Sequence, residues 1–365
     1  KGVNFKPGDP NYDLYQKALK VTAHRMNPTY SFMDSSFNAK YGDEVAYMGC
    51  RTRVIGNRHG PEVTAKRGNL GFVTINLPRI ALISKNEKTF WSNLERILDL
   101  AASQLLHRYE ILSKLRVVDL PFLMGEHLYL DSEKLGLYDS IEPCMRHGTL
   151  TISFVGLAET LKVLSGKHHG QNKQSQKLGL KIIEFMKKSC DEFSEKYDKN
   201  FTLLATPAEQ AAGRLMKYDQ EMFGEIGGVT DKEYYTNSYH IPVDFKISAW
   251  DKIVLEGPYH KYTNAGHISY VELESAPQNN LEVLDKMIRH MAAQDMGYVG
   301  INFPIDECLK CHFSGIINRG DDKCPSCGST SIRRIRRITG YLGDLITRFG
   351  QAKKAEEKDR IPHSL

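Results

Sequence analysis

Four of the chain's seven cysteines stand in two tight pairs near the C-terminus. Two residues separate Cys308 from Cys311, two separate Cys324 from Cys327, and twelve lie between the pairs. Each Cys-x-x-Cys turn lets two thiolates bind one ion, and two such turns complete the tetrahedron that Zn²⁺ prefers. Four thiolates leave no coordination position open for substrate, so the spacing predicts a structural zinc site. Paired redox thiols or an iron centre are the alternatives.

A glycine and a cysteine each lie in a distinctive stretch, far apart in the sequence. Gly340 lies in RRIRRITGYLGDLITRF, and Cys50 lies 290 positions earlier in the glycine-punctuated stretch AYMGCRTRVIGN. A radical on an α-carbon is stabilised by its flanking nitrogen and carbonyl when the centre is planar, and only glycine lacks the Cβ that would crowd it. Taken singly, Gly340 also fits a turn or cap, and Cys50 fits an inert buried thiol.

The segment RITGYLG, just after the four cysteines, resembles the glycyl-radical motif of anaerobic (class III) ribonucleotide reductases. Arg337, Gly340 and Tyr341 match the Arg-x-x-Gly-Tyr pattern of that family, and MGCRT resembles the loop that carries its transient thiyl radical, here on Cys50. Similar segments follow in family order along essentially the whole chain, which is identified as the C-terminal part of a family member. The resemblance implies anaerobic reduction of ribonucleoside triphosphates to deoxyribonucleoside triphosphates for DNA replication.

The resemblance also implies the cofactors and partners of this chemistry. A radical S-adenosylmethionine activating enzyme would form the glycyl radical on Gly340, and a structural Zn²⁺ on the four cysteines would anchor the radical loop. Ribonucleoside triphosphates would be the substrates, and the complete enzyme would be a homodimer. Deoxyribonucleoside triphosphates or ATP would act as effectors through an N-terminal region that, with the first half of the barrel, would lie outside these 365 residues.

Two further segments are similar to family regions that contact the substrate. Asn69, in KRGNLGFVTINLPRIAL, is the candidate amide for orienting the ribose hydroxyls, and Asn76 is its rival. Thr206, Ala208 and Glu209, in LLATPAEQAAGRLMKYD, form the candidate phosphate-binding turn at the start of a helix, whose N-terminal amides attract phosphate oxygens. The same threonine and glutamate, three residues apart, also satisfy an ordinary capping box.

Two other functions fit part of the pattern. The basic run RRIRR after a zinc module is compatible with a zinc-ribbon nucleic-acid-binding protein, although no aromatic residues for base stacking alternate with these arginines. A glycyl radical enzyme of the pyruvate formate-lyase or diol dehydratase type would share the radical glycine. Those families lack the four-cysteine module, which favours the reductase.

The elements that must position these residues follow from the apolar pattern. A buried strand is predicted in FVTINLPRIAL up to Pro78, and a long helix follows in residues 86–115, capped by Asn86 or Ser84. RHGTLTISFVGLAETLKVLSG predicts a strand, a turn near Gly156 and a helix. Two more amphipathic helices are predicted in SQKLGLKIIEFMKKSCDEFSEKY and NNLEVLDKMIRHMAAQDMGYVGINF, the last of which runs into a strand. This alternation predicts an α/β fold. The family resemblance implies that this fold is part of a ten-stranded glycyl-radical-enzyme α/β barrel with a thiyl-cysteine loop. A zinc ribbon and a glycyl radical segment would follow the barrel.

Three parts are expected along the chain. A catalytic barrel portion would occupy residues 1–304, with the thiyl loop at about 40–70; a zinc-binding module would occupy 305–330, and the glycyl radical loop and C-terminal tail 331–365. The composition, with 41% hydrophobic and 25% charged residues and a net charge of +5, is that of a globular protein. No apolar run approaches the length of a membrane span, so a cytoplasmic protein is expected.

Three other residue types receive structural interpretations. Cys190 lies on the apolar stripe of its predicted helix, which indicates the core. His168 and His169 lie in a polar stretch and are expected to be solvated. Cys144 stays ambiguous between a core position and a functional one.

Overall fold

The computed structural model describes residues 4–41, 45–317 and 323–365, so parts of the predicted thiyl loop and zinc module lie outside the described residues. Its helices are α1 (Tyr12–Arg25), α2 (Leu77–Ile83), α3 (Glu87–Ser113), α4 (Pro121–Gly125), α5 (Glu142–Met145), α6 (Leu157–Ser165), α7 (Lys173–Tyr197), α8 (Glu209–Phe223), α9 (Ala249–Glu256), α10 (Leu281–Ala293), α11 (Leu345–Arg348) and α12 (Gln351–Asp359). Its strands are β1 (Tyr30–Ser31), β2 (Tyr47–Met48), β3 (Thr52–Arg53), β4 (Asn69–Asn76), β5 (Thr149–Val155), β6 (Asn200–Ala205), β7 (Ser269–Glu272), β8 (Tyr298–Asn302), β9 (Ile305–Cys308), β10 (Ser314–Gly315), β11 (Ile332–Ile338) and β12 (Tyr341–Asp344). Among these helices, none is both long enough and apolar enough to cross a membrane.

Strands β4, β5 and β6 form a parallel sheet with β5 in the centre. Every residue of β5 and β6 is buried, as expected for strands rich in Val, Ile and Leu that are covered on both faces. The crossover helices α3, α6 and α7 pack their apolar stripes into one core with this sheet. The predicted strand, turn and helix around Gly156 are therefore confirmed, as are the long helices on either side.

Helix α3 begins where the sequence predicts it. The Asn86 side chain accepts a hydrogen bond from the Thr89 N–H at 2.9 Å and so caps the first turn. The preceding strand differs from its prediction. It ends at Asn76, and Pro78 lies in the first turn of α2, where a missing N–H costs nothing. Because β4 lies at the edge of its sheet, Phe72 is 52% exposed rather than buried.

A second sheet contains β1, β8 and β7 in that order, with β7 parallel to β8. It adjoins the first sheet through two backbone hydrogen bonds. The Ala205 N–H donates to the Gly266 carbonyl at 3.0 Å, and the Ala265 N–H donates to the Leu203 carbonyl at 2.9 Å. The architecture is therefore a mixed α/β fold, and the complete ten-stranded barrel stays a prediction.

The C-terminal part forms an antiparallel sheet in the order β10, β9, β11, β12. It combines strands from residues 305–330 and 331–365. Helix α12 then returns to the larger part of the chain and packs on α8. A Cβ added to Gly213 would lie 2.6 Å from the Ala352 Cβ, so the glycine allows these helices to approach closely.

The prediction that His168 and His169 are solvated is wrong. Their exposed fractions are 2% and 1%. His169 Nε2 donates to the Tyr239 carbonyl at 2.8 Å, and the His168 ring meets the Phe245 ring edge-on at 4.7 Å. The groups that cover them lie some 70 positions later in the chain, where the local polar pattern gives no sign of them.

Cys190 and Cys144 both lie in the apolar core, as predicted for Cys190 and as one of the two alternatives for Cys144. Burial raises the pKa of Cys144 to about 11 and that of Cys190 to about 12. Both therefore stay protonated at neutral pH and pack as small apolar side chains.

Candidate active site

Cys50 lies at the tip of a short antiparallel hairpin. Strands β2 and β3 pair, which leaves Gly49, Cys50 and Arg51 in the connecting turn. Gly49 has a φ of +61°, a conformation that glycine adopts without strain. The Arg53 N–H donates to the Ala265 carbonyl at 2.7 Å, so the hairpin is fixed to the junction between the two sheets.

Gly340 lies at the tip of a second antiparallel hairpin, formed by β11 and β12. Ile338 pairs with Tyr341, so Thr339 and Gly340 make a two-residue turn. Their φ angles are +52° and +104°. Positive φ at both central residues matches the twist of two antiparallel strands, and glycine is the residue that tolerates the second value.

The two turns meet. An ideal Cβ built on Gly340 would lie 2.2 Å from the Cys50 Cβ and 3.3 Å from the Cys50 Cα. The first separation is far shorter than the 3.5 to 4.0 Å of ordinary carbon contacts, so the hairpins pack this closely only because residue 340 has no side chain. The Arg51 Nη2 donates to the Thr339 carbonyl oxygen at 3.1 Å and joins the turns. The structure thus brings together the two candidate radical residues.

The Tyr270 hydroxyl is a third group at this contact. It lies 3.3 Å from the Cβ position of Gly340 and has no hydrogen-bond partner among the described residues. Burial raises the pKa of Tyr270 well above its usual value, so the phenol is neutral. Tyr270 lies in the stretch NAGHISYVELE, whose sequence pattern assigns the tyrosine no role.

Arg337 holds the strand that leads to Gly340. Its Nη1 donates to Asn302 Oδ1 at 3.3 Å, and its Nη2 donates to Asn27 Oδ1 and to the Met26 carbonyl at 2.5 Å each. Burial lowers the pKa of Arg337 from its ordinary value, and these neutral oxygens compensate its lost hydration. The motif arginine therefore anchors β11 to the β1 side of the second sheet.

Helix α12 contributes buried charges on the other side of the Gly340 hairpin. Lys353 and Arg360 pair with Glu356 at 2.5 and 3.1 Å, and Arg360 Nη1 donates to the Arg337 carbonyl at 2.9 Å. Burial alone would raise the pKa of Glu356, but the two cations lower it to about 2. The charged pattern of this helix is typical of a solvated tail, and only its pairing with distant charges explains its burial.

Asn69 begins β4 and bonds across the sheet. Its Nδ2 donates to Thr149 Oγ1 at 3.0 Å and also to Thr151 Oγ1. The side chain is half-buried. Its described hydrogen bonds do not reach Cys50 or Gly340, so its role toward a substrate stays a prediction.

Asn76, the rival amide, is used within the fold. Its Oδ1 accepts from the Arg79 N–H at 3.2 Å and caps α2, and its Nδ2 donates to Asp219 at 2.8 Å. Both polar atoms are thus occupied, which leaves Asn69 as the better candidate for a ligand contact.

The capping box expected between Thr206 and Glu209 is absent. Helix α8 begins at Glu209, so its N-cap is Ala208, whose side chain makes no capping bond. Thr206 is 3% exposed, and its Oγ1 has no hydrogen-bond partner among the described residues. The first-turn amides of α8 are therefore uncapped by a side chain, and a buried hydroxyl lies just before them.

The four paired cysteines converge. The Sγ atoms of Cys308, Cys311, Cys324 and Cys327 all lie within 4.8 Å of one another, and two of the pairs are 3.6 Å apart. Thiolates bound at ~2.3 Å from one tetrahedral Zn²⁺ lie roughly 3.8 Å apart. The donor set and its spacing therefore fit one four-coordinate metal ion.

At least five buried histidines are held neutral by their surroundings, and His169, His260 and His363 are among them. His169, His260 and His363 are 1%, 0% and 7% exposed. Burial lowers their pKa values to about 4, 3 and 3. Since an unfolded histidine titrates near pH 6.5, each of these residues takes up a proton on unfolding once the pH falls below that value.

Acidification should therefore destabilise the fold. The stabilisation from each depressed histidine is complete above about pH 6.5 and decreases toward the folded pKa, by about 1 kcal/mol per histidine between pH 7 and 5.5. Burial raises the pKa of Glu159, which acts in the opposite direction. Urea unfolding at the two pH values, followed by circular dichroism, measures the difference, and replacing the exposed His127 should leave it unchanged. A free energy of unfolding that does not fall over this range would contradict the neutral buried state.

Known proteins resemble this chain over almost its whole length. A family model described as anaerobic ribonucleoside-triphosphate reductase matches residues 1–363. Over 375 aligned residues the chain is 36% identical to the anaerobic ribonucleoside-triphosphate reductase of Escherichia coli (strain K12), with 99% of this chain and 52% of that protein covered. The chain thus spans about half the length of the curated relative it matches.

Solved structures share the fold. One named anaerobic ribonucleotide reductase superimposes with a TM-score of 0.75 at 19% identity, covering 99% of this chain and 54% of the other. The anaerobic ribonucleotide reductase from Thermotoga maritima in complex with dATP and CTP gives 0.68 at 19% identity, covering 96% and 53%. At these identities the likeness establishes the fold alone.

Proposed function

Because the chain belongs to the anaerobic ribonucleoside-triphosphate reductase family, we propose that it forms the radical-bearing part of an enzyme that reduces ribonucleoside triphosphates to deoxyribonucleoside triphosphates. The contact between the Cys50 and Gly340 turns carries this proposal. A hydrogen atom can pass directly between two residues only when they touch, and here a Cβ on Gly340 would lie 2.2 Å from that of Cys50.

The proposed reaction uses these two residues in turn. A radical S-adenosylmethionine activating enzyme removes one hydrogen atom from the Gly340 Cα. Cys50 gives its thiol hydrogen to that radical and becomes a thiyl, which takes the 3′ hydrogen of the ribose. The 2′ hydroxyl is protonated and leaves as water, and an external reductant supplies two electrons and a proton. Cys50 then returns the 3′ hydrogen and recovers its own from Gly340, which stores the radical again.

The residues around the pair hold it and exclude water. Arg51 is 1% exposed and links the two turns, and the neutral Tyr270 lies over Gly340. Exclusion of water and oxygen protects a reactive radical from side reactions. We assign Arg51 and Arg337 a positioning role, because their bonds go to backbone and amide oxygens rather than to a reacting atom.

For the substrate, we propose that Asn69 contacts the ribose hydroxyls and that the turn of Thr206, Ala208 and Glu209 receives the phosphates. The unpartnered Thr206 hydroxyl and the uncapped start of α8 support the second assignment, since helix N-termini bind phosphate oxygens. The support for Asn69 is weaker, because its Nδ2 donors already bond to Thr149 and Thr151.

We further propose the partners that this function requires. These are the activating enzyme, the ribonucleoside triphosphate, a second copy in a homodimer, and dNTP or ATP effectors bound by a region outside this chain. The name of the Thermotoga maritima structure, which holds dATP and CTP, supports the nucleotide classes. The cytoplasm, where such nucleotides are made, is the proposed location.

The four cysteines are proposed to hold one structural Zn²⁺. It would tie β9, which ends at Cys308, to the turn before β11, the strand that leads to Gly340. We expect Cys324→Ser to lower bound zinc from about one ion per chain to near none, to lower the melting temperature and to reduce the yield of glycyl radical. Elemental analysis of the purified protein measures the first effect. Cys144→Ser, far from this module in the core, should keep its zinc, and full occupancy in Cys324→Ser would contradict the proposal.

A nucleic-acid function is not favoured. The arginines of RRIRR form ion pairs within the chain: Arg333 pairs with Glu307 at the surface, and the buried Arg336 pairs at 2.7 Å with Asp306 and with Glu357. Phosphate recognition needs cations that are free to meet a nucleic-acid backbone. The family match also disfavours a glycyl radical enzyme of another type.

An anaerobic turnover assay tests the function. The whole protein that carries this chain is activated with its activating enzyme, S-adenosylmethionine and a low-potential reductant, and CTP is then added with formate or a thiol reductant. We expect dCTP to form only after activation. An activated protein that carries the glycyl radical but forms no deoxyribonucleotide with any of the four ribonucleoside triphosphates would overturn the proposal.

A further inference from the structure

A small cavity adjoins the contact between the two turns. Its volume is about 50 Å³, and its wall includes Arg51, Tyr270 and Thr339 together with side chains from α9, α12 and the C-terminal tail. One water molecule needs roughly 10 to 15 Å³ by the same measure. The cavity therefore has room for one small ligand with a water or two, and is too small for a nucleotide.

Several polar atoms on this wall have no partner in the described part of the chain. Arg51 is 1% exposed, and although its Nη2 donates to Thr339, its Nε and Nη1 have no hydrogen-bond acceptor. The Tyr270 hydroxyl and the Asn237 Oδ1 are also buried and unpartnered. Buried polar groups are nearly always paired with protein, water or a ligand. Three of these four atoms are donors, which calls for an occupant that accepts hydrogen bonds.

The charged side chains around the cavity carry a net charge of +1. The other charged groups are paired with each other: Lys252 with Glu256 at 2.7 Å, Lys353 with Glu356 at 2.5 Å, Arg360 with Glu356 at 3.1 Å and Arg360 with Glu272 at 3.3 Å. Of these groups and Arg51, the cavity wall itself has three cations, Arg51, Lys252 and Arg360, and two carboxylates, Glu272 and Glu356. No described carboxylate forms an ion pair with Arg51.

The titratable wall residues do not change this balance. His240 and His363 also line the cavity, and burial lowers the pKa of both, that of His363 to about 3. Both are therefore neutral at pH 7. The Tyr270 phenol is neutral as well, since burial raises its pKa. A single negative charge in the cavity would complete the balance, and buried charges without compensation are rare in folded proteins.

Arg337 lies in the same region and provides a comparison, because its buried guanidinium does have hydrogen-bond acceptors. It is 3% exposed and lies with its guanidinium carbon 5.9 Å from the centre of the Tyr270 ring. Its donors reach the side-chain oxygens of Asn27 and Asn302 and nearby carbonyls. Arg51 is equally buried but makes one such bond, through Nη2. Its Nε and Nη1 have no acceptor, and Arg51 lines the cavity.

We propose that this cavity is a binding site for one small monovalent anion of about the size of a halide, held by Arg51 Nε and Nη1 and by the Tyr270 hydroxyl. The anion would fix the Arg51 guanidinium, whose Nη2 bonds to the carbonyl of Thr339 next to Gly340. It would thereby brace the two turns against each other. This inference goes beyond the reductase function and does not depend on it, because the site is complete without substrate or radical.

Bromide tests the proposal on the purified, unactivated protein. In a buffer whose only other anion is gluconate, which is too large for the cavity, bromide should raise the melting temperature in a saturable way. A crystal soaked in bromide should show an anomalous peak within hydrogen-bond distance of Arg51 Nε and Nη1. Since no radical is formed, failure here is distinct from failure of the proposed reductase function.

Two matched tyrosine variants test whether the effect of bromide on the melting temperature arises in this cavity. Tyr270→Phe removes a donor from the wall without changing its shape and should weaken the apparent bromide affinity about tenfold, as expected for a bond to a charged group. Tyr239 also has a buried, unpartnered hydroxyl but does not line the cavity, so Tyr239→Phe should leave the affinity unchanged. A linear salt effect that is equal in all three proteins, or an anomalous peak without any saturable shift, would overturn the proposal in favour of water alone.

Discussion

Gly340→Ala is expected to abolish both the radical and the reductase activity. Alanine has one α-hydrogen, but its Cβ crowds the planar centre on which the radical depends. At this position the Cβ would also lie 2.2 Å from that of Cys50, and the backbone has a φ of +104°. The two turns would have to separate, which breaks the path for hydrogen transfer. Activated protein should show no glycyl signal and form no deoxyribonucleotide above the unactivated background.

Gly224→Ala is the control that distinguishes loss of the radical from the effect of backbone strain. Gly224 also has a positive φ, +80°, but a Cβ there would meet nothing within 4 Å. Gly224→Ala should cost about 1 to 2 kcal/mol in stability and leave the radical and the activity intact. Circular dichroism and bound zinc report whether Gly340→Ala remains folded. A folded Gly340→Ala protein with full turnover would contradict the assigned role.

Cys50→Ser is expected to separate storage of the radical from its use. Serine is close in size to cysteine, so the turn and its contact with Gly340 should persist. An O–H bond is much stronger than an S–H bond, and the glycyl radical therefore has no accessible route to the ribose. The glycyl signal should form normally, whereas deoxyribonucleotide production should fall by at least about a thousandfold, as for loss of an essential reacting group.

The buried thiols are the controls for this variant. Cys144 and Cys190 lie in the core, where burial raises the pKa of each thiol. Cys144→Ala should lower stability through the cavity it leaves, but should not affect turnover per radical. If Cys50→Ser kept substantial activity, or if Cys144→Ala lost it while folded, the thiyl would have to lie elsewhere.

Elements with strong local patterns were predictable from the sequence. The apolar stripe and the Asn86 cap located α3, and a continuous apolar run before Gly156 located the buried strand β5. The spacing of the four cysteines predicted their convergence, because two short turns can bring four thiols together without help from the rest of the fold. These features depend on neighbours within a few positions.

Features that depend on distant neighbours were not predictable in the same way. His168 and His169 are buried by residues far along the chain, and the charges of α12 are buried because they pair with one another and with β11. The Cys50 to Gly340 contact joins positions 290 residues apart, and only the family resemblance suggested it. Thr206 failed as a capping residue because α8 begins three residues after it.

Electron paramagnetic resonance on deuterated protein is the most direct test of the central claim, that Gly340 carries the radical. A glycyl radical retains one α-hydrogen, whose coupling splits the signal into a doublet. Protein grown on glycine deuterated at the α-carbon and activated anaerobically should give a collapsed singlet, and Gly340→Ala should give no signal. A signal that is unchanged by deuteration, or that persists in Gly340→Ala, would contradict the assignment.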